Sequence, residues 1–265
     1  MNDVLTRILC DKRAEVARAR ASVGLSVLEE RIAALPPARG FVAALEAQVA
    51  KGRPAVIAEM KRASPSRGLL RHAFDPQALA RAYEQAGAAA LSVLTDGPYF
   101  QGSASDLVRA RASCRLPVLR KDFVVDRYQV AESRAMGADA CLLIVAALPG
   151  DGLADLAGSA RDYGLDALIE VHDPHELERA LALPEALIGI NNRDLKTFAT
   201  TLETSLALVR AVPAGRLVIT ESGVGAPEDV ARLRAGGLQG FLIGEAFMTA
   251  PDPGERLRQL FMGWL

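Results

Sequence analysis

Cysteine is scarce in this chain and follows no pattern. The three cysteines, Cys10, Cys114 and Cys141, lie far apart, without the close spacing of a metal site or a disulfide framework. Cys114 and Cys141 sit in apolar surroundings, where a thiol behaves as a small core residue. An odd count without a framework points to a reducing compartment, the cytoplasm. Charge of one sign is lacking too: 31 Lys and Arg stand against 32 Asp and Glu, a formal net charge of −1. With no basic tract, no nucleic-acid partner is expected. No apolar run approaches the roughly 20 residues of a membrane span. Residues 1–15 are charged throughout and hold no apolar signal core. There is also no G-x-G-x-x-G after the first strand-like run, so nothing marks a dinucleotide-binding turn.

What is present concentrates at residues 56–68, Val-Ile-Ala-Glu-Met-Lys-Arg-Ala-Ser-Pro-Ser-Arg-Gly. The segment begins as a buried strand and ends in charges and turn formers. Glu59 and Lys61 are two apart, so in a strand both project to the same side. The strand then breaks at Ser64-Pro65-Ser66, before Gly68.

This pattern of apolar strand and charged end recurs along the chain. Residues 1–50 read as three helices, the first marked by Ile8, Lys12 and Val16 at helical spacing, the second stopped at Pro36-Pro37. Beyond them, short strands are expected at 55–61, 90–95, 117–122, 140–145, 167–171, 187–191, 217–220 and 240–244. Amphipathic helices are expected between them, at 76–87, after a loop 96–103 to about 113, and at 127–137, 153–163, 174–182, 204–212, 226–235 and 253–264. Asp75 is a plausible N-cap of the first of these. Short apolar strands linked by helices imply parallel strands buried on both faces. The expected fold is α/β, a (β/α)8 TIM barrel over 53–265 with an N-terminal helical extension over 1–52, together one domain of 265 residues. An open doubly wound sheet is the competing topology.

A barrel keeps its active site where strands run into their following helices. Strand ends in this sequence carry Glu59, Lys61, Thr95, Arg120 to Asp122, Glu170, Asn191 to Asp194, Glu221 and Ser222. Solvated strand ends and internal salt bridges would account for any one of them. As a set, Glu59, Lys61, Lys121, Glu170 and Glu221 would converge on one mouth, where charges must pair and shift one another's pKa. Barrels often bind phosphate with the loops after strands seven and eight. Glu221-Ser222-Gly223-Val224-Gly225 and Ile243-Gly244-Glu245 occupy those places. Glycine there lets backbone N–H groups reach the phosphate, and a methyl at Gly244 would obstruct the approach or strain a positive φ. The Glu245 carboxylate would repel phosphate, so only its backbone N–H is assigned to binding.

Together these segments resemble the indole-3-glycerol phosphate synthase family. The resemblance rests on Glu59-Met-Lys61-Arg-Ala-Ser64-Pro65-Ser66, Leu94-Thr95-Asp-Gly-Pro-Tyr99-Phe100-Gln-Gly102-Ser103, Lys121-Asp122-Phe123, Leu142-Leu-Ile144-Val145, Glu170, Ile190-Asn191-Asn-Arg193-Asp194-Leu195 and Glu221-Ser222-Gly223. It spans nearly the whole chain, the helix bearing Ile8, Lys12 and Val16 included. It implies conversion of 1-(2-carboxyphenylamino)-1-deoxyribulose 5-phosphate to indole-3-glycerol phosphate, with loss of CO2 and water, in tryptophan biosynthesis. It implies no metal and no organic cofactor, and a small phosphosugar-anthranilate substrate as partner. By matching position, Lys121 is the general acid of ring closure and Glu170 the acid–base group of dehydration. Lys61 contacts the substrate's phosphate or carboxylate and shares in proton transfer; Glu59 orients the anilino nitrogen and the lysines. Asn191 bonds sugar hydroxyls and Glu170. Arg193 and Ser64 take the carboxylate. Glu221 and Ser222 line the sugar and phosphate end, with Gly223, Gly244 and Glu245 at the phosphate. Leu94, Phe100, Phe123, Leu142 and Ile144 clamp the aryl ring, although Leu and Ile on strands are core residues by default.

Some positions depart from the family's usual pattern. His172 stands where the family often carries Asn, and strand alternation points it the same way as Glu170, as a supporting polar group rather than a base. His72 and His175 read as surface or capping residues. Arg120 stands where an apolar residue is usual; alternation turns it away from the lumen toward the helices, where it needs a partner. Rival readings are another phosphosugar barrel, such as phosphoribosylanthranilate isomerase or the tryptophan synthase α subunit, and a non-catalytic barrel serving assembly. Lys121-Asp122-Phe123 and the N-terminal helices argue against the first, the full set of acids and bases against the second. Oligomeric state is not legible in the sequence.

Overall fold

The computed structural model describes residues 4–183, 187–195 and 197–265. Residues 1–3 of the charged N-terminal stretch lie outside them. Among the described residues, eight parallel strands close into a barrel: β1 (Ala55–Met60), β2 (Ala90–Leu94), β3 (Val118–Lys121), β4 (Ala140–Ile144), β5 (Asp166–Val171), β6 (Leu187–Asn191), β7 (Val218–Glu221) and β8 (Gly240–Ile243). Each pairs with the next, and β8 closes on β1 with Ala55 opposite Gly240 and Ala58 opposite Ile243. An open sheet is thereby excluded. The strands are short and apolar because both their faces are covered, one by the lumen, the other by helices. Every residue of β1, β2, β4 and β8 is buried.

The covering helices are α4 (Pro76–Gln85), α5 (Ala104–Ala112), α6 (Arg127–Ala135), α7 (Gly152–Asp162), α8 (Pro174–Leu181), α9 (Glu203–Leu208), α10 (Pro227–Ala235) and α11 (Pro253–Leu260). Three of them start with the same dipeptide. Asp75, Asp173 and Asp252 each accept a first-turn N–H, from Gln77, Glu176 and Glu255, and each precedes a proline. Proline fits there because its missing N–H would lack an intrahelical partner anyway.

Strand ends differ from expectation by about one residue. Lys61, Thr95, Asp122, Val145 and Gly244 lie just beyond their strands, whereas Glu221 belongs to β7. Loop 96–103 contains a helical turn, Gly97–Phe100, because the Asp96 side chain caps it at Tyr99 N. The segment after β1 folds as a small hairpin, Ala63–Ser64 against Gly68–Leu69. Helix α9 ends at Leu208 and tightens into a 3-10 turn, Val209–Ala211, before Pro213.

The extension supplies α1 (Val4–Ser22), α2 (Leu25–Ala33) and α3 (Phe41–Val49), and it grips the barrel at both ends. At the amino end of the strands, Asp139 accepts from Arg39 N at 2.8 Å and Asp166 from Val42 N at 2.9 Å. Phe41 and Leu45 are fully buried there. At the carboxyl end, Val4, Leu5 and Ile8 of α1 reach over the mouth. No described helix is long and apolar enough to cross a membrane.

Candidate active site

Strand alternation brings four charged side chains into the lumen just below the mouth: Glu59 from β1, Lys121 from β3, Glu170 from β5 and Glu221 from β7. The three carboxylates are buried. An unpaired ion at such a place would cost several kcal/mol, and the structure pairs them. Lys121 Nζ lies 2.6 Å from Glu170 Oε2 and 3.1 Å from Glu221 Oε2. Lys61, just past β1, pairs with Glu59 Oε1 at 2.7 Å. Asn191 Nδ2, at the end of β6, donates to Glu170 Oε1 at 3.1 Å. The convergence expected from strand ends is therefore present, with Lys121 at its centre.

Sharing one ammonium sets the two carboxylates apart. Burial is the largest influence on Glu170 and raises its pKa, but Lys121 and His172 outweigh it and hold the carboxyl well below the usual carboxylate range. Burial pushes Glu221 up to about 8, against the pull of Lys121 and helped by the neighbouring Glu170 and Glu59. The asymmetry follows the geometry. Glu170 is nearer the ammonium and has Asn191 as well, whereas Glu221 Oε1 has no hydrogen-bond partner among the described residues. Lys121 itself is raised: its carboxylates overcome the desolvation that would favour the neutral amine.

Two glycines make room for these acids. A Cβ at Gly189 would stand 2.3 Å from Glu221 Oε1, and one at Gly244 would stand 2.4 Å from Glu59 Oε1. Gly244 thus corrects the sequence expectation. Its φ is −122°, so no left-handed conformation calls for glycine; the crowding comes from Glu59. The turn after β7 does bend through left-handed backbone, at Ser222 (φ 65°) and Gly223 (φ 86°).

Above the acids lies a cavity of about 630 Å³, lined by every residue to which the resemblance gives a role; of the strand-end residues, Thr95, Arg120, Asn192 and Asp194 do not line it. Its apolar wall includes Leu94, Leu142 and Ile144, which also belong to the buried core, and Phe100 and Phe123 from the loops. The two phenylalanine rings lie 6.2 Å apart, tilted by 39°. At the rim, Arg193 donates to Ser66 Oγ at 2.7 Å and pairs with Glu245 at 3.3 Å; Arg67 pairs with the same carboxylate at 3.0 Å. Glu245 thereby ties the hairpin to the loop after β6. Ser64 is buried beside Ser66, with hydroxyl oxygens 3.5 Å apart.

Sequence reasoning missed how the N-terminal helix is held. Lys12 is 2% exposed, and its Nζ lies 2.9 Å from Glu15, 3.0 Å from Asp96 and 2.9 Å from Asp122. Asp122 also accepts from Thr95 Oγ1 at 2.5 Å and pairs with Arg120 at 3.1 Å. Burial would raise the Asp122 pKa, but Arg120 and Lys12 bring it down to about 2. The available signal was a lysine four residues from both Ile8 and Val16, on the apolar stripe of the helix. Arg120 does turn toward the helices, where Glu132 meets it at 2.8 Å. His172 shares the side of Glu170, as alternation required, at 3.3 Å. His72 and His175 are exposed. Cys10 is exposed, and Cys114 and Cys141 are buried, all three as free thiols. Among the described residues, no cluster of His, Cys, Asp and Glu is arranged to hold a metal.

Comparison with known proteins points to the same family as the sequence motifs. A family model described as indole-3-glycerol phosphate synthase matches residues 5–260. A protein of that name from Dechloromonas aromatica (strain RCB) is 55% identical over 98% of this chain and 100% of its own length. Its counterpart from Leptothrix cholodnii (strain ATCC 51168 / LMG 8142 / SP-6) is 54% identical over the same shares. Among solved structures, the tryptophan synthase alpha subunit of Legionella pneumophila str. Paris superposes with a TM-score of 0.60 at 16% identity, covering 85% of this chain and 96% of that one, a likeness of fold alone. The chain belongs to the indole-3-glycerol phosphate synthase family.

Proposed function

We propose that the bowl of acids and lysines under the barrel mouth performs the ring closure of this family, with Lys121 as the acid that starts it. The chain is a carboxy-lyase of tryptophan biosynthesis. It closes the indole ring of 1-(2-carboxyphenylamino)-1-deoxyribulose 5-phosphate and releases CO2 and water. An aryl carbon attacks the ketone, whose oxygen gains negative charge; loss of CO2 restores the ring's aromaticity. Dehydration then removes that oxygen as water, together with a proton from the neighbouring carbon. The observation that carries the assignment is the Lys121 ammonium, fixed between Glu170 and Glu221 in a buried bowl. A fixed ammonium stabilises an oxyanion as it forms, without reorganising at that moment.

The other roles follow from surroundings. Glu170 is ionised and anchored on three sides, which suits the proton transfers of dehydration. Lys61 and Glu59 pair opposite it; Lys61 serves the substrate's phosphate or carboxylate and Glu59 its anilino nitrogen. Asn191 spans Glu170 and the sugar hydroxyls. Arg193, with Ser64 near it, takes the carboxylate in exchange for Glu245. Phe100 and Phe123, with Leu94, Leu142 and Ile144, hold the aryl ring. Glu221 stands under the sugar, and Ser222, Gly223, Gly244 and the Glu245 N–H receive the phosphate.

We also read residues 1–52 and 53–265 as one domain, because Leu9, Phe41 and Leu45 share a core cluster with the strands. Its free thiols suit the cytoplasm. Lys121→Met tests the central assignment. Affinity for product should change little, while turnover at saturating substrate falls by roughly 10²–10⁴. Turnover within a factor of two of the parent would remove Lys121 from the role.

A further inference from the structure

His172 is a half-buried titratable group that the roles above leave unused. It stands two residues after Glu170, just past the end of β5, and its ring lies between two carboxylates. Nε2 is 3.3 Å from Glu170 Oε1, an ion-pair distance without hydrogen-bond alignment. Nδ1 is 2.9 Å from Glu176 Oε2. Glu176 stands in the first turn of α8 and is itself fixed: the same oxygen accepts the His172 backbone N–H at 2.8 Å, and its own N–H donates to Asp173 at 2.8 Å. We propose that His172, backed by Glu176, is the positioning residue for Glu170, holding that carboxylate in its place and in its ionised form. The proposal rests on the reading of Glu170 as the acid–base group.

The geometry fixes the protonation of the ring. With Nδ1–H directed at Glu176, a neutral imidazole would turn its Nε2 lone pair toward a carboxylate oxygen. Placing a proton on each nitrogen removes that repulsion and makes the ring a cation facing two anions. Burial alone would lower the ring's pKa, but Glu170 and Glu176 raise it to about 10. The charged groups facing Glu170 are Lys121 from β3 and His172 beyond its own strand, with Glu221 from β7 sharing Lys121; Asn191 from β6 is neutral. Two cations therefore hold Glu170 ionised, and only Lys121 is needed at the substrate's ketone. His172 can thus keep Glu170 ready as a base while Lys121 is engaged elsewhere in the cycle. Removing the imidazolium leaves Glu170 buried with one cation fewer, so its pKa must rise.

Two variants separate this role from a merely structural one. His172→Asn keeps a polar group of similar reach but no charge. Glu176→Gln keeps the ring but removes the anion that retains its second proton. In His172→Asn, the carboxylate is no longer held in place, so kcat at neutral pH should fall about tenfold with KM nearly unchanged; separately, the acid limb of the kcat profile, which in the parent lies below the ordinary carboxylate range, should move up by ~1 pH unit or more. Glu176→Gln should move the limb the same way by less. Nitrogen NMR of the wild-type ring at pH 8 should show both nitrogens protonated, with that state lost at lower pH in Glu176→Gln than in the parent. An acid limb unmoved in both folded variants, or a neutral ring at pH 8 in the parent, overturns the proposal. Glu170→Gln, assayed alongside, distinguishes the two levels. If it turns over at the parental rate, the role of Glu170 has failed; if it is inactive while His172→Asn behaves as the parent, only the positioning role has failed.

Discussion

A methyl group is enough to disturb this site, because Gly189 and Gly244 leave no space between backbone and acid. Gly244→Ala would push on Glu59, which is paired with Lys61, and so act on proton positioning as well as on any phosphate contact. The expected outcome is a loss of roughly tenfold or more in kcat at saturating substrate, measured by steady-state kinetics, with product affinity reduced less. A phosphate loop that merely admitted an anion would show the reverse, a rise in KM with kcat preserved. The acids themselves were legible in the sequence, since each stands at the end of an apolar run and alternation fixes which way it points. The glycines' purpose was not, because crowding at Gly189 and Gly244 comes from side chains 32 and 185 residues away in sequence.

Helix α1 illustrates how an element is held by one charge rather than by its apolar stripe alone. Lys12 carries the only ammonium facing Asp96 and Asp122 from that helix, and those two residues begin the loops that bear Phe100 and Phe123. Replacing it by Met leaves two buried carboxylates with less compensation, a change that typically costs about 3–5 kcal/mol. Lys12→Met should lower the melting temperature in calorimetry. In hydrogen exchange the protection of α1 should fall first, and KM should rise because the aryl clamp loosens. Acid acts on the same clasp. Because the Asp122 pKa is depressed to about 2 in the fold, its contribution is fully present above the unfolded carboxylate range and is lost as pH falls through about 2. The strands and outer helices were legible from apolar runs and Asp-Pro starts. The helical turn at Gly97–Phe100 and the hairpin at Ala63–Leu69 were not, since side-chain caps and two-residue pairings leave no periodicity to read.

At the scale of the molecule, the chain as a whole is near neutral, and the proton on Glu221 sets the net charge of the bowl. With burial pushing its carboxyl up to about 8, Glu221 is mostly protonated at neutral pH, and Lys61, Lys121 and the His172 ring then outnumber Glu59 and Glu170. Above about pH 8 the bowl gains a negative charge against an anionic substrate. KM should therefore rise as pH passes about 8, and Glu221→Gln should flatten that rise, measured by initial rates across pH 6–10. Stability moves the same way. A carboxyl whose pKa is raised by folding contributes fully below the unfolded value and loses that contribution as pH climbs through about 8. The closed barrel was legible because eight strand–helix units have few other solutions. The grip of the extension on both barrel ends was not, because it depends on single contacts at Asp139, Asp166 and Asp122.

That grip has a consequence for how the chain is made. The first fifty residues leave the ribosome before any of their partners exist. Lys12 finds Asp122 only after a further hundred residues have emerged, and Val42 finds Asp166 later still. β1 waits longest, since its seam with β8 needs residues 240–243. Translation thus delivers the extension and the first strand early, completes the extension's grip midway and closes the strand's second seam last. A nascent chain halted before β8 would expose an open sheet edge, the condition in which strands pair with the wrong neighbour.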